Sequence, residues 1–229
     1  MRLSRDPTRR TDMPRLTALA LMAALAAPAH AQSSGDANPE AAAAEDQAQR
    51  QLPDGTTLRA DDLRRLNGTD RAYGAALRQA MADAAPGDLD QLLPALRGAP
   101  MPPAEARAAM PGDWSCQMMK VGGGLALTIY QPFACRADDQ GGFHKLTGSQ
   151  RTKGKLFERE GRLIYVGTGY TWDREPLPYA DLPEVVDGSS DAQMLPEVGV
   201  VELTGADRGR ILFPDPYLES VMNVLVLRR

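Results

Sequence analysis

The sequence predicts an α+β protein, with short N-terminal helices packed on a C-terminal antiparallel β-meander that curls into a small barrel of about eight strands. Two observations predict it. Apolar residues recur at helical spacing from Leu58 to about Met110, and at Pro111-Gly112 the rhythm changes to short β runs separated by turn residues. The turns are also short, so strands adjacent in sequence pair antiparallel and the meander closes its own edges.

The elements follow in order. Residues 32–53 are polar and alanine-rich, with no aromatic, and read as a flexible tether. Residues 54–111 form the helical segment. Arg59 to Leu66 is a short helix stopped by Asn67-Gly68. Asp70 caps the next, whose Tyr73, Leu77, Ala80, Met81 and Ala84 share one face, and Pro86-Gly87 ends it. Asp88 caps a third, with Leu89, Leu92, Leu93 and Leu96 turned to the core and Pro94 as a kink. Pro102-Pro103 opens a last turn toward Met110. Helices this short need a surface to pack on.

Residues 112–229 supply that surface. Strands are expected over 114–121, 125–136, 142–149, 153–159, 162–170, 198–203, 209–213 and 220–227, with Gly122-Gly123-Gly124 and Glu160-Gly161 as hairpin turns. Met222, Val224 and Val226 share one face of the last strand, and Ile211 and Phe213 one face of the strand before it. The stretch from Thr171 to Pro196 breaks the pattern with four prolines and six acids, and reads as a long surface loop.

Residues 1–31 carry an export signal. Arg15 precedes an apolar run from Leu16 to Pro28, and Ala29-His30-Ala31 supplies small residues before a cut at Gln32. The run is too short to span a bilayer and has no polar face to suit a buried helix. Residues 1–12 are polar and Arg-rich and read either as a long positive region of the signal or as a mis-assigned start, with Met13 the initiator. Removal of residues 1–31 leaves 198 residues with 21 basic against 28 acidic side chains, a net charge of −7. That balance argues against nucleic acid and anionic membranes as partners, and no remaining stretch is a membrane span. An exported chain with two cysteines, Cys116 and Cys135, is expected to join them in a disulfide. With the single remaining histidine, His144, the pair makes a poor metal site, and no cofactor is expected.

No catalytic constellation stands out. The stretch GSQRTKGK from Gly148 to Lys155 superficially resembles a phosphate loop, but five residues separate its glycines and Leu156 stands where Ser or Thr would hold magnesium. Lys145, Arg151, Lys153 and Lys155 form the most basic run of an acidic chain. Of these, Lys145, Arg151 and Lys153 are the candidate contacts for an anionic ligand; the bland reading is a solvated strand face. His144 is the sole imidazole available for hydrolysis, and no nucleophile elbow surrounds Ser149. Trp114, Phe133, Tyr165 and Tyr170 are expected in the core or lining a pocket at an open barrel end.

The motifs GDWSCQMMKVGG (112–123), PFACRA (132–137), KLTGSQRTKGKLFE (145–158), YVGTGY (165–170) and LFPDPYLESVMNVLVL (212–227) resemble a family of exported proteobacterial proteins, domain of unknown function 4893. The likeness implies one coherent exported domain from about Leu58 onward and brings no functional residues. A looser likeness, of fold alone, is to Inh-type bacterial metalloprotease inhibitors, which are exported barrels with a Trp followed by a Cys pair. Three functions therefore compete: a non-catalytic envelope module binding a ligand or protein, a periplasmic inhibitor of that type with a free segment at Gln32 to Gln51, and a hydrolase using His144 or the acids of the 171–196 loop.

Overall fold

Eight antiparallel strands, each paired with the next, close into a barrel when the last returns to the first. The structure, a computed structural model, describes residues 39–186 and 194–229. The expected signal at 1–31 lies outside the described residues. The strands are β1 Gly112–Val121, β2 Leu127–Ala137, β3 Gly142–Lys145, β4 Gln150–Arg159, β5 Arg162–Thr171, β6 Met194–Gly205, β7 Arg208–Pro214 and β8 Met222–Arg228. The expected α+β class and eight-strand barrel are both present. Three strands depart from expectation by three residues or more, β4 by beginning early at Gln150. β3 stops at Lys145, where its backbone leaves the sheet into the 146–149 turn, and β6 begins four residues early, at Met194.

Period-two alternation gives the barrel two buried surfaces. Inward-facing Trp114, Cys116, Cys135, Phe143, Leu156, Leu163, Tyr165, Leu203, Ile211, Phe213, Leu225 and Leu227 fill the lumen. Outward-facing Met119, Val121, Leu212, Met222, Val224 and Val226 are covered by helices. The two strand faces picked out in the sequence thus belong to different layers: Ile211 and Phe213 face the lumen, while Met222, Val224 and Val226 lie under helices. Cys116 and Cys135 are disulfide-bonded between adjacent β1 and β2, with Cα atoms 5.9 Å apart. The Glu160-Gly161 turn has φ of 50° and 72°, as a two-residue hairpin requires.

The helices are α1 Pro39–Arg50, α2 Ala60–Asn67, α3 Thr69–Asp83, α4 Pro86–Ala95 and α5 Pro103–Ala109. Most of the stretch expected to be a tether is helix α1, which its alanines favour. Behind it the chain is anchored by buried Leu52 and a Gln51–Thr57 bridge. α3 fully buries Thr69, Ala72, Ala76 and, of the expected face, Ala80; Tyr73, Leu77 and Ala84 of that face pack partly buried against the barrel, and Met81 is 58% exposed. Small side chains let the helix axis lie close on the barrel. Pro86 does not end α3 but opens α4 at its first turn, where a missing N–H is harmless. In α4 Leu92 is buried and Leu93 is exposed. Neither Asp70 nor Asp88 serves as the cap.

α2 is docked by a buried charge network. Asp62 accepts from Arg65 Nη1 (2.8 Å) and from the Tyr179 hydroxyl (2.6 Å), and lies 3.7 Å from Arg59. Arg59 donates onward to the carbonyls of Leu182 (2.6 Å) and Pro183 (2.9 Å). The described part of the long 172–193 connection is therefore a strap tied to α2.

The two barrel ends differ. At one end the turns are short, and α5, Met110 and Trp114 form a plug. Trp114 Nε1 donates to Met110 O (2.8 Å), and Arg229 stacks on the indole (3.9 Å) while donating to the carbonyls of Met110 (2.8 Å) and Pro111 (2.6 Å). The other end carries the longer connections 122–126, 146–149, 172–193 and 215–221.

Candidate ligand site at the open end of the barrel

Toward the open end the inward positions become polar. They are Lys120 on β1, Lys145 on β3, Gln150 and Thr152 on β4, Tyr165 on β5, Glu197 on β6 and Asn223 on β8. Register places them together. Lys145 pairs with Thr152, Thr152 with Gly169, and Lys120 with Asn223. Glycines make the room: a Cβ on Gly167 would collide with the Tyr165 hydroxyl, and one on Gly169 would sit 2.7 Å from the Glu197 carboxyl carbon.

Two ammonium groups converge on Gln150. Lys120 Nζ donates to its side-chain oxygen (3.1 Å) and Lys145 Nζ to its backbone carbonyl. Lys145 also donates to Thr147 O (2.9 Å) and lies 3.8 Å above the Phe133 ring. Burial, aided by the charges of Arg151 and Lys120 and opposed by Glu197, pulls Lys145 down to about 8. Lys120 pairs with the carboxylate of Glu219, from the 215–221 connection. Burial pushes the Glu197 carboxyl up, while the Thr152 hydroxyl and the charges of Arg65, Lys145 and Lys120 pull it back. Tyr165, hydrogen-bonded to Thr152 (2.6 Å), is raised well above the ordinary phenol range by burial.

Lys120, Lys145, Gln150, Thr152, Glu197 and Asn223 border a cavity of about 110 Å³ with Met118, Tyr130 and Phe133 on its apolar side. A second lobe of about 80 Å³ shares Lys120, Gln150, Glu197 and Asn223 with it and reaches Arg65 and Tyr217. Exposed Leu125 and Trp172 flank this end.

Of the three basic residues singled out in the sequence, Lys145 and Arg151 border this cavity and Lys153 does not. Lys145 faces the lumen. Arg151 stands at the rim, where its Nε donates to Gly148 O (3.1 Å). Lys153 faces outward opposite His144 and lines a separate groove of about 300 Å³ with Lys155, Phe157 and Leu177. Strict alternation separates them: an even step along β4 keeps the face, whereas the β3–β4 pairing puts Lys145 with Thr152 rather than with its neighbours. His144 is also outward. Its Nε2 lies 2.6 Å from the Tyr170 hydroxyl, and among the described residues neither a Ser nor a carboxylate hydrogen-bonds to it. Burial, then Lys153 and Arg151, lower its pKa. In the long connection Glu184 lies 3.8 Å from Arg50, while Asp187 and Asp191 lie outside the described residues.

Lys120, Gln150, Thr152, Glu197 and Asn223 escaped the sequence reading as site residues. One signal was there: Trp114, Cys116, Met118 and Lys120 fall on one alternating face, so a charge follows three lumen-facing residues.

Fold and site together define a closed eight-strand barrel, plugged at one end and polar-lined at the other. The chain belongs to the family described as Domain of unknown function (DUF4893), whose profile matches residues 54–227. No curated protein and no solved structure matches it.

Proposed function

We propose that this protein is an exported, non-catalytic binding barrel of the cell envelope that holds a small carboxylate-bearing molecule at its open end. The observation that carries the reading is the pair of buried lysines, Lys120 and Lys145, brought onto Gln150 at the head of an internal cavity. Like charges this close repel, and a bound anion relieves the repulsion in a site where water screens little. Glu219 already sets a carboxylate on Lys120, an internal example of the group such a site accepts. The faces of Phe133 and Tyr130 offer apolar contact to the rest of a small ligand. Export is supported by the segment from Met13 to Ala31, and the joined Cys116 and Cys135 suit an oxidising compartment.

The test is calorimetric titration of the chain from Gln32 with a panel of small mono- and dicarboxylates. At least one binds. Lys120→Gln weakens it tenfold or more, Glu219→Gln tightens it by removing the internal competitor, and Lys153→Gln binds as wild type. Absence of binding across the panel at millimolar concentration, or equal binding by Lys120→Gln, overturns the proposal.

A further inference from the structure

At the plugged end of the barrel, opposite the site above, a hollow of about 550 Å³ lies between the α4–α5 linker and the ends of β7 and β8. Three exposed arginines border it: Arg97 from the linker, Arg208 from β7 and Arg228 from β8. Arg208 and Arg228 are direct cross-strand partners, and both point outward with Arg210 and Val226. Among the described residues none of the three is ion-paired. The neighbouring arginines are engaged otherwise: Arg210 is tied to Glu202 and to the carbonyls of Ala95, Arg97 and Gly98, and Arg229 to Trp114.

Like charges directly opposite on adjacent strands destabilise the pair. The chain has 30 acidic residues against 26 basic, yet Asp207 is the one acid bordering this hollow. Three guanidinium forks around one concavity suit an anion with several oxygens and more than one negative charge. We propose that this hollow binds a phosphate-bearing ligand through Arg97, Arg208 and Arg228. A soluble phosphate ester and a phospholipid headgroup present the same chemistry, and the experiment separates them.

The chain from Gln32 is titrated with inorganic diphosphate at low salt and, separately, sedimented with phosphatidylglycerol or phosphatidylcholine vesicles. Diphosphate is expected to bind with Kd below about 1 mM. The double variant Arg208→Gln/Arg228→Gln loses tenfold or more in affinity. Its unliganded Tm equals or exceeds that of wild type, because the like-charge pair is gone. That combination is what a merely structural role would not give: there the variant would melt lower and bind unchanged. Binding to phosphatidylglycerol vesicles without diphosphate binding assigns a lipid headgroup, and diphosphate binding alone assigns a soluble ligand; both support the site. Lys153→Gln, outside both sites, binds diphosphate as wild type. No binding of either probe by wild type, equal binding by the double variant, or loss of diphosphate binding in Lys153→Gln overturns the proposal.

Discussion

Replacing Asp62 with alanine should be among the most damaging single changes in the helical layer. Asp62 is fully buried, and its partners Arg59 and Arg65 are each only 4% exposed. The substitution removes the acceptor for Arg65 Nη1 at 2.8 Å and for the Tyr179 hydroxyl at 2.6 Å. It also leaves two guanidinium charges in a poorly hydrated layer with carbonyl partners alone. Breaking a buried pair from one side costs about 3–5 kcal/mol, a large share of the roughly 5–15 kcal/mol that holds a domain folded. With a urea slope of about 2–3 kcal/mol/M, the unfolding midpoint falls by roughly 1–2.5 M. Hydrogen exchange should rise first in α2 and in the strap around Tyr179, which the network joins. Replacing the whole charged set by apolar residues of similar volume should recover much of the loss, since burying the charges is itself expensive. A loss under about 1 kcal/mol for Asp62→Ala, with unchanged exchange at Tyr179, would refute the claim that this network docks the helix.

Two further outcomes follow from the barrel. Cutting the Cys116–Cys135 bridge by a double serine substitution should lower stability by about 3 kcal/mol, the chain-entropy value for a loop of this size, read from denaturant midpoints without reductant; an unchanged midpoint would contradict it. Lys145, held near 8 against an ordinary 10.5, favours its neutral form in the folded state. The unfolded chain therefore binds more protons between these values, and stability rises with pH across that window. Wild type should gain on Lys145→Met from pH 8 to pH 10.5, and a difference that stays flat or narrows would show that the ammonium is not destabilised by its site.

Local chemistry made the strand order legible, whereas the site depended on register. Glu160-Gly161 and Gly122-Gly123-Gly124 announce tight turns in any context, so the meander could be read from one strand to the next. The most buried stripe of α3 could not, because a hydrophobicity pattern favours Met81 over Ala72 and Ala76. What decides the face is how closely the helix approaches β7 and β8, and that rests on residues more than a hundred positions away. The lumen posed the same difficulty more sharply. A lysine or glutamate inside an apolar strand reads as solvent-facing, and Lys120 and Glu197 meet only after eight registers have closed the barrel. Clustering in sequence misled in part, since Lys153 follows Lys145 and Arg151 along the chain but faces outward into a separate groove.

The lining of the lumen is itself an argument about function. The plugged end shows that this barrel can be filled with apolar side chains, as Trp114, Leu203 and Leu227 do there. At the open end the same strands carry Gly167 and Gly169, residues that weaken a strand interior. Their absent side chains are replaced by a phenol and a carboxyl, both shifted by burial away from their charged forms. Apolar residues in place of Tyr165 and Glu197 would remove the desolvation penalty. A fold selected for stability alone has no use for the exchange, whereas a recognition site that needs oriented polar groups in a dry cavity does. On that reasoning, filling the cavity by replacing Glu197 and Lys145 together with leucine and methionine, removing both buried charges at once, should stabilise the barrel and abolish carboxylate binding, two effects that move in opposite directions only if the polar lining serves a ligand.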